Sequence, residues 1–237
     1  MPKLTSNTVK YLLGANVAMF LLVLMVPFIL GQGDLFTFLL LGGENTELVF
    51  SGQVWRMITA AFLHANLIHI GANMYYFVQI GELIHRFFGE RKLLVTYVLS
   101  AIGGSVFSIL SVIMGIRPDI VSVGASGAVF GMLGMIITAS WKSQRSTYHL
   151  SLPIDYRQLL PYILFSLFIG LALPGINNAA HIGGLVAGGI LGLLLRPDYG
   201  TASSESDVLT DGLFYLSLGI LAFGFVGLVI FNFNTFF

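Results

Sequence analysis

The sequence predicts an all-α polytopic membrane protein, a six-helix bundle with one further transmembrane helix at its C-terminal end. Three observations predict it. Only 9% of the 237 residues are charged and 56% are apolar, with a mean hydropathy of +0.89; a soluble domain is roughly a quarter charged. Six stretches contain no Lys, Arg, Asp or Glu: 11–33, 57–81, 93–116, 120–141, 158–195 and 212–237. A helix needs about 20 residues to cross the hydrocarbon core. The 28 glycines suit close helix packing in lipid. Lipid admits only helices and closed barrels, and no barrel-like alternation runs through these stretches.

The elements follow in order. Span one lies near 11–30, after Lys3 and Lys10; the VPFILGQG that follows has no A-x-A cleavage pattern, so this is a helix and not a signal peptide. The connection 31–57 contains LFTFLLLGG, apolar but too short to cross, which predicts a re-entrant or interfacial segment. Spans two, three and four lie near 60–82, 93–114 and 126–141. The stretch 158–195 is too long for one crossing. Pro174, Gly175, Asn177 and Asn178 break it into spans near 159–173 and 179–195 joined by a tight polar turn. A polar linker, 199–211 with Glu205, Asp207 and Asp211, separates a core of 1–198 from the seventh span within 212–237, near 212–232.

Charge placement orients the chain. With the N-terminus cytoplasmic, the inner segments hold Lys3, Lys10, Arg86, Arg91, Lys92, Lys142, Arg145, Arg157 and Arg196, and the outer ones only Arg56 and Arg117. The C-terminus is then external. Short loops and no organelle-targeting segment point to a prokaryotic plasma membrane. The 11 basic and 11 acidic residues balance, so nucleic acid is not an expected partner, and the absence of cysteine excludes disulfides and thiolate chemistry.

Three sets of reactive side chains lie in the apolar spans: His64, His69 and Asn73; Gly124, Ser126 and Gly127 with Phe130; and His181 with Gly183, Gly184, Gly188 and Gly189. Each alone has an ordinary explanation. A Ser-Gly pair is common where helices pack, and a membrane His or Asn commonly bridges helices. The three sets begin spans two, four and six, which run in the same direction, so they share one depth on the external side. Ser126 is then the candidate nucleophile and His181 the candidate base. No carboxylate is expected near this layer, which favours a Ser–His dyad over a triad. His69 and Asn73, four residues apart, share a helix face and can both donate to an oxyanion, with backbone N–H groups at the start of span four. Gly124 and Gly127 permit close backbone approach, and Gly184 with Gly188 lets span six close on span four. A zinc site at His64, His69 and His181 is disfavoured: the H-x4-H spacing is not the i,i+4 pair, and no Asp, Glu or Cys accompanies it. His85 and His149 read as interfacial histidines.

These motifs together resemble the rhomboid family of intramembrane serine proteases. H64-A-N-L-I-H69-I-G-A-N73 is similar to its second-helix pattern, G124-A-S126-G127 to its nucleophile motif, A180-H181-I-G-G184-L-V-A-G188 to its sixth-helix pattern, and Trp55-Arg56 to a pair in its first external loop. The resemblance covers about 11–196 and implies a six-helix rhomboid-like core, here with a seventh helix added. It implies that Ser126 is the nucleophile and His181 the base, that His69, Asn73 and the Ser126 N–H bind the oxyanion, and that His64 supports them. It also implies cleavage in or near transmembrane helices of protein substrates, with no cofactor and no metal, and gating within about 159–180. The chain departs from the family's pattern at three places. Phe130 stands where a Tyr often stacks on the histidine. His85 and Phe87 stand where Glu and Arg are usual, so that Glu82 and Arg86 are expected to pair instead. Two other readings use the same scaffold, a non-catalytic membrane-protein binder and a His/Asn-lined transporter.

Overall fold

The computed structural model describes residues 4–145, 155–173, 175–197 and 208–236, with side chains to 232. His149, Pro174 and most of the polar linker lie outside the described residues. Helix α1, Asn7–Leu30, is capped at its start by Ser6, whose hydroxyl accepts from Val9 N at 3.0 Å. Two carboxylates complete that end. Glu82 accepts from the backbone of Thr5 and Ser6, at 3.0 and 3.1 Å, and Glu90 from Asn7 and Thr8, both at 2.9 Å. A helix N-terminus carries unpaired N–H groups and partial positive charge, and both carboxylates satisfy that need. The expected Glu82–Arg86 pair is therefore corrected: Glu82 turns to the start of α1, while Arg86 is exposed.

Three short helices follow: α2, Asp34–Leu40, α3, Thr46–Phe50, and α4, Arg56–Thr59. The apolar segment at 35–43 thus forms a helix of seven residues, too short to cross. Arg56 staples this region. Its guanidinium is buried and donates to Leu39 O at 2.8 Å, Gly43 O at 2.9 Å and Gln53 Oε1 at 2.8 Å. Burial lowers its pKa to about 10.

Helix α5, Leu67–Ile113, has two arms, 67–88 and 90–113, separated at Gly89, whose φ of 78° only glycine adopts readily. The span expected from residue 60 starts later. Residues 60–62 form a single 3-10 turn and the chain is extended at Leu63. The Asn66 side chain caps the helix, its Oδ1 accepting from His69 N at 2.9 Å, a stop-and-restart that apolarity does not reveal.

Helix α6, Ser126–Gln144, is the centre of the molecule. Every residue from Gly127 to Ile136 is buried, as expected of a helix enclosed by protein on all sides. It packs most closely on α8, Asn178–Leu194, and on α5. Glycines set that closeness. A methyl on Gly184 would overlap Gly127 O, and one on Gly188 would overlap Gly131 O. Helix α7, Leu160–Ala172, buries only Ile163 and Gly170. Helix α9, Val208–Phe236, packs on α4 and α5. Its Phe231 ring lies 5.6 Å from Trp55, and Asn232 Nδ2 donates to Leu40 O at 3.0 Å.

Among the described helices, α1, α5 and α9 are long and apolar enough to cross a membrane by length and composition, and α7 and α8 are shorter apolar helices. The chain is an integral membrane protein. Buried amide and phenol donors in its core find acceptors: Asn16 Nδ2 donates to Leu12 O at 2.8 Å and to Tyr97 Oη at 3.1 Å, and Tyr97 donates on to Ala61 O at 3.2 Å.

Candidate active site

Ser126 is the first residue of α6, and His181 stands one turn into α8. The close α6–α8 contact brings them together. His181 Nε2 lies 2.9 Å from Ser126 Oγ, within proton-transfer reach. One turn along α6, the Phe130 ring stacks on the imidazole with centroids 4.3 Å apart and planes within 2°. The stack expected of Phe130 is thus present without a phenol. His181 Nδ1 has no hydrogen-bond partner among the described residues.

His69 approaches from the first arm of α5. Its Nδ1 accepts from Ala65 N at 3.3 Å, which leaves the ring proton on Nε2. That Nε2 faces the turn before Ser126: a methyl on Gly124 would lie 2.7 Å from it. Gly124 has a second reason to be glycine, a φ of 134°. Asn73 donates to His69 O at 3.0 Å, which occupies one of its two amide hydrogens. His64 is fully buried in the extended turn before α5, with its ring centroid 5.1 Å from that of His69. Its Nε2 accepts a long bond, 3.5 Å, from Ala125 N. A methyl on Gly127 would lie 3.4 Å from Ala180 O and 3.6 Å from the Cα of Gly104, so the glycine permits the three-helix approach and contributes no side-chain chemistry. The arrangement therefore gathers Ser126, His181, Phe130, His69, Gly124 and His64 around one turn. No group of three or more His, Cys, Asp or Glu suited to a metal ion occurs among the described residues.

One group escaped the sequence reading. A carboxylate does lie near this layer: Glu44, in the connection between α2 and α3, is 3% exposed. It accepts from Ser108 Oγ at 2.9 Å and Ser105 Oγ at 3.3 Å, both on the second arm of α5. Burial raises its pKa to about 7. It does not touch His181. The only signal is that one of three acids in the connection 31–57 stands beside two glycines, and its partners are more than 60 residues away.

Comparison with known proteins agrees with this constellation. The rhomboid domain model matches residues 51–198. RHOMBOID-like protein 5 of Arabidopsis thaliana is 39% identical over 165 residues, 68% of this chain and 50% of that protein. RHOMBOID-like protein 4 of the same plant is 33% identical over 219 residues, 87% of this chain and 53% of that protein. Rhomboid protease GluP of Bacillus subtilis (strain 168) is 29% identical over 158 residues, 67% of this chain and 29% of that protein. The chain spans about half the length of the plant relatives and less of the bacterial one. With the domain matched over most of its length and the motif residues gathered at one end of α6 and α8, the chain belongs to the rhomboid family.

Proposed function

We propose that this chain is an intramembrane serine endopeptidase that cleaves peptide bonds in or near transmembrane helices of protein substrates. The observation that carries the reading is the 2.9 Å contact between His181 Nε2 and Ser126 Oγ, with the imidazole held flat against Phe130. Family membership and the relative named as a rhomboid protease support it.

The chemistry follows from the groups present. Ser126 Oγ attacks the scissile carbonyl carbon as His181 Nε2 takes its proton. The carbonyl oxygen becomes an oxyanion, stabilised by the Nε2–H of His69, the second amide hydrogen of Asn73 and the N–H of Ser126. His64 supports the turn through Ala125 N. His181 returns its proton to the leaving amine. Water then attacks the acyl-enzyme with His181 again as base, releasing the acid and restoring Ser126. A substrate helix must unwind first, because its carbonyls are already hydrogen-bonded and shielded, so helix-breaking residues near the cleavage site lower the cost. In this reading residues 1–198 form the catalytic core, the N-terminus is cytoplasmic, and the site opens to the external side.

The test is covalent labelling of the purified protein by a fluorophosphonate, beside cleavage of a single-span substrate in detergent. Ser126→Ala abolishes both, and His181→Ala lowers both by at least about a thousandfold. Equal labelling of the wild type and both variants would sink the proposal.

A further inference from the structure

Ser108 Oγ sits at a junction. Arg117 Nη1 donates to it at 2.8 Å and Asn177 Nδ2 at 2.7 Å. Both are donors only, so they occupy the hydroxyl's two lone pairs, and its single hydrogen must go to an acceptor. That acceptor is Glu44 Oε1 at 2.9 Å. The bonds therefore have one direction, from Asn177 through Ser108 to Glu44. Asn177 is the residue that caps α8, its Oδ1 accepting from Ala180 N at 3.1 Å. With Nδ2 held by Ser108 and by Ser122 Oγ at 3.0 Å, its amide can take only the orientation that caps the helix. His181 is the residue after Ala180.

The backbone of Glu44 grips the other partner. Glu44 N donates to Ser122 O at 3.0 Å, and Ser122 N donates to Glu44 O at 2.8 Å. Two residues on, Gly124 N donates to Ala60 O at 3.0 Å, and Ser126 follows. One residue thus ties down both chain segments that lead to the dyad: the turn before Ser126 through its main chain, and the cap of α8 through its side chain.

We infer that Glu44 is a positioning residue for the proposed dyad, fixing the first turn of α8 through Ser108 and Asn177 so that His181 stays within reach of Ser126. The inference rests on the protease reading given above. The charged groups facing Glu44 are Arg117 and Asp119, both from the connection between α5 and α6; the second arm of α5 offers it serines and α8 an amide. A glutamine keeps the acceptor that Ser108 needs and can donate to Ser105, whose own hydrogen then goes to Met57 O, 3.0 Å away. Geometry rather than charge is what the junction requires, so Glu44→Gln is the rescuing substitution.

The experiment measures the maximal rate of fluorophosphonate labelling in the full-length protein, with hydrogen exchange at residues 180–182 as a second readout. A misplacement of about 1 Å can cost about a hundredfold; Glu44→Ala and Ser108→Ala loosen the cap without removing it, so each slows labelling by about tenfold with the half-saturating probe concentration unchanged. The double variant is no slower than the slower single, because both break one path. Glu44→Gln labels within about twofold of wild type, and amides at the start of α8 exchange faster in Glu44→Ala but not in Glu44→Gln. Wild-type labelling in Glu44→Ala, losses that multiply in the double variant, or a glutamine variant as slow as the alanine one would each overturn the inference. If Glu44→Ala does not fold, a wild-type rate in Ser108→Ala overturns it. If the wild type itself does not label, the protease reading falls and exchange alone decides: faster exchange in Glu44→Ala supports positioning, and unchanged exchange ends it.

Discussion

At the level of single residues, Phe130 and Glu44 do what neither composition nor spacing assigns. Nδ1 of His181 has no partner among the described residues, so the flat contact with Phe130 joins the Ser126 contact in restraining the ring. Such stacking is worth about 1 kcal/mol beyond burial, enough to favour one rotamer of an imidazole. Glu44 makes a prediction about pH. Burial raises its pKa from 4.5 to about 7. A raised carboxyl pKa means that the folded state holds the proton more tightly than the unfolded one. The stability this contributes is fully present below pH 4.5 and is lost as pH rises through 7. The melting temperature of the wild type relative to Glu44→Gln, in detergent, should fall between about pH 5 and pH 8 and then level off, the whole change corresponding to roughly 3 kcal/mol. A difference that does not vary with pH would show that Glu44 is solvated or already ionised.

At the level of elements, the decisive contact is the glycine seam between α6 and α8. Gly127, Gly131 and Gly134 on one helix meet Gly184, Gly188 and Gly192 with their neighbours on the other. Lipid supplies no hydrophobic drive for helices to associate, so packing and close backbone approach must do so. The same approach sets the Ser126–His181 distance, because the two residues sit at the ends of these helices. Gly188→Ala places a methyl against Gly131 O and should cost about 1–3 kcal/mol by overpacking, with loss of labelling as the helices part. Gly219→Ala is the control. Nothing lies within 4 Å of a methyl there, and alanine is the better helix former by about 1 kcal/mol, so its melting temperature should equal or exceed that of the wild type. Equal effects at the two positions would mean that the seam is not under packing constraint.

At the level of the whole molecule, polar ties gather at opposite ends of the helices. At one end Glu82 and Glu90 hold the start of α1, Lys92 Nζ donates to Arg196 O at 2.8 Å, and Arg91 pairs with Asp211. At the other lie the Arg56 staple, the Glu44 junction and the Asn232 bond to Leu40 O. Helix α9 therefore bridges both rims, and its contact with Trp55 braces the segment that carries Arg56. Replacing Phe231 and Asn232 together by alanine should lower the melting temperature by about 5 °C, since a 1 kcal/mol change shifts a protein of this size by about 2–4 °C, while leaving labelling detectable. An unchanged melting temperature would mean that α9 only rests on the bundle.

Composition and spacing alone fix the class of the molecule and name the candidate residues of the site. Charge-free stretches demand helices in lipid, and Ser126, His181, His69 and Gly124 stand out because reactive or special residues are costly in such stretches. The sequence also located the starts of α6 and α8 and anticipated their close approach from small residues four apart. Tertiary structure alone decided three matters. It brought Ser126 and His181 to 2.9 Å, a distance that depends on how deeply two helices interlock. It turned Glu82 away from Arg86 toward the unpaired N–H groups of α1. It also buried Glu44 against serines more than 60 residues away. The physical reason is common to all three: periodicity encodes which face a residue occupies within its own helix, whereas a buried polar group is satisfied by whichever partner the packing of other helices delivers.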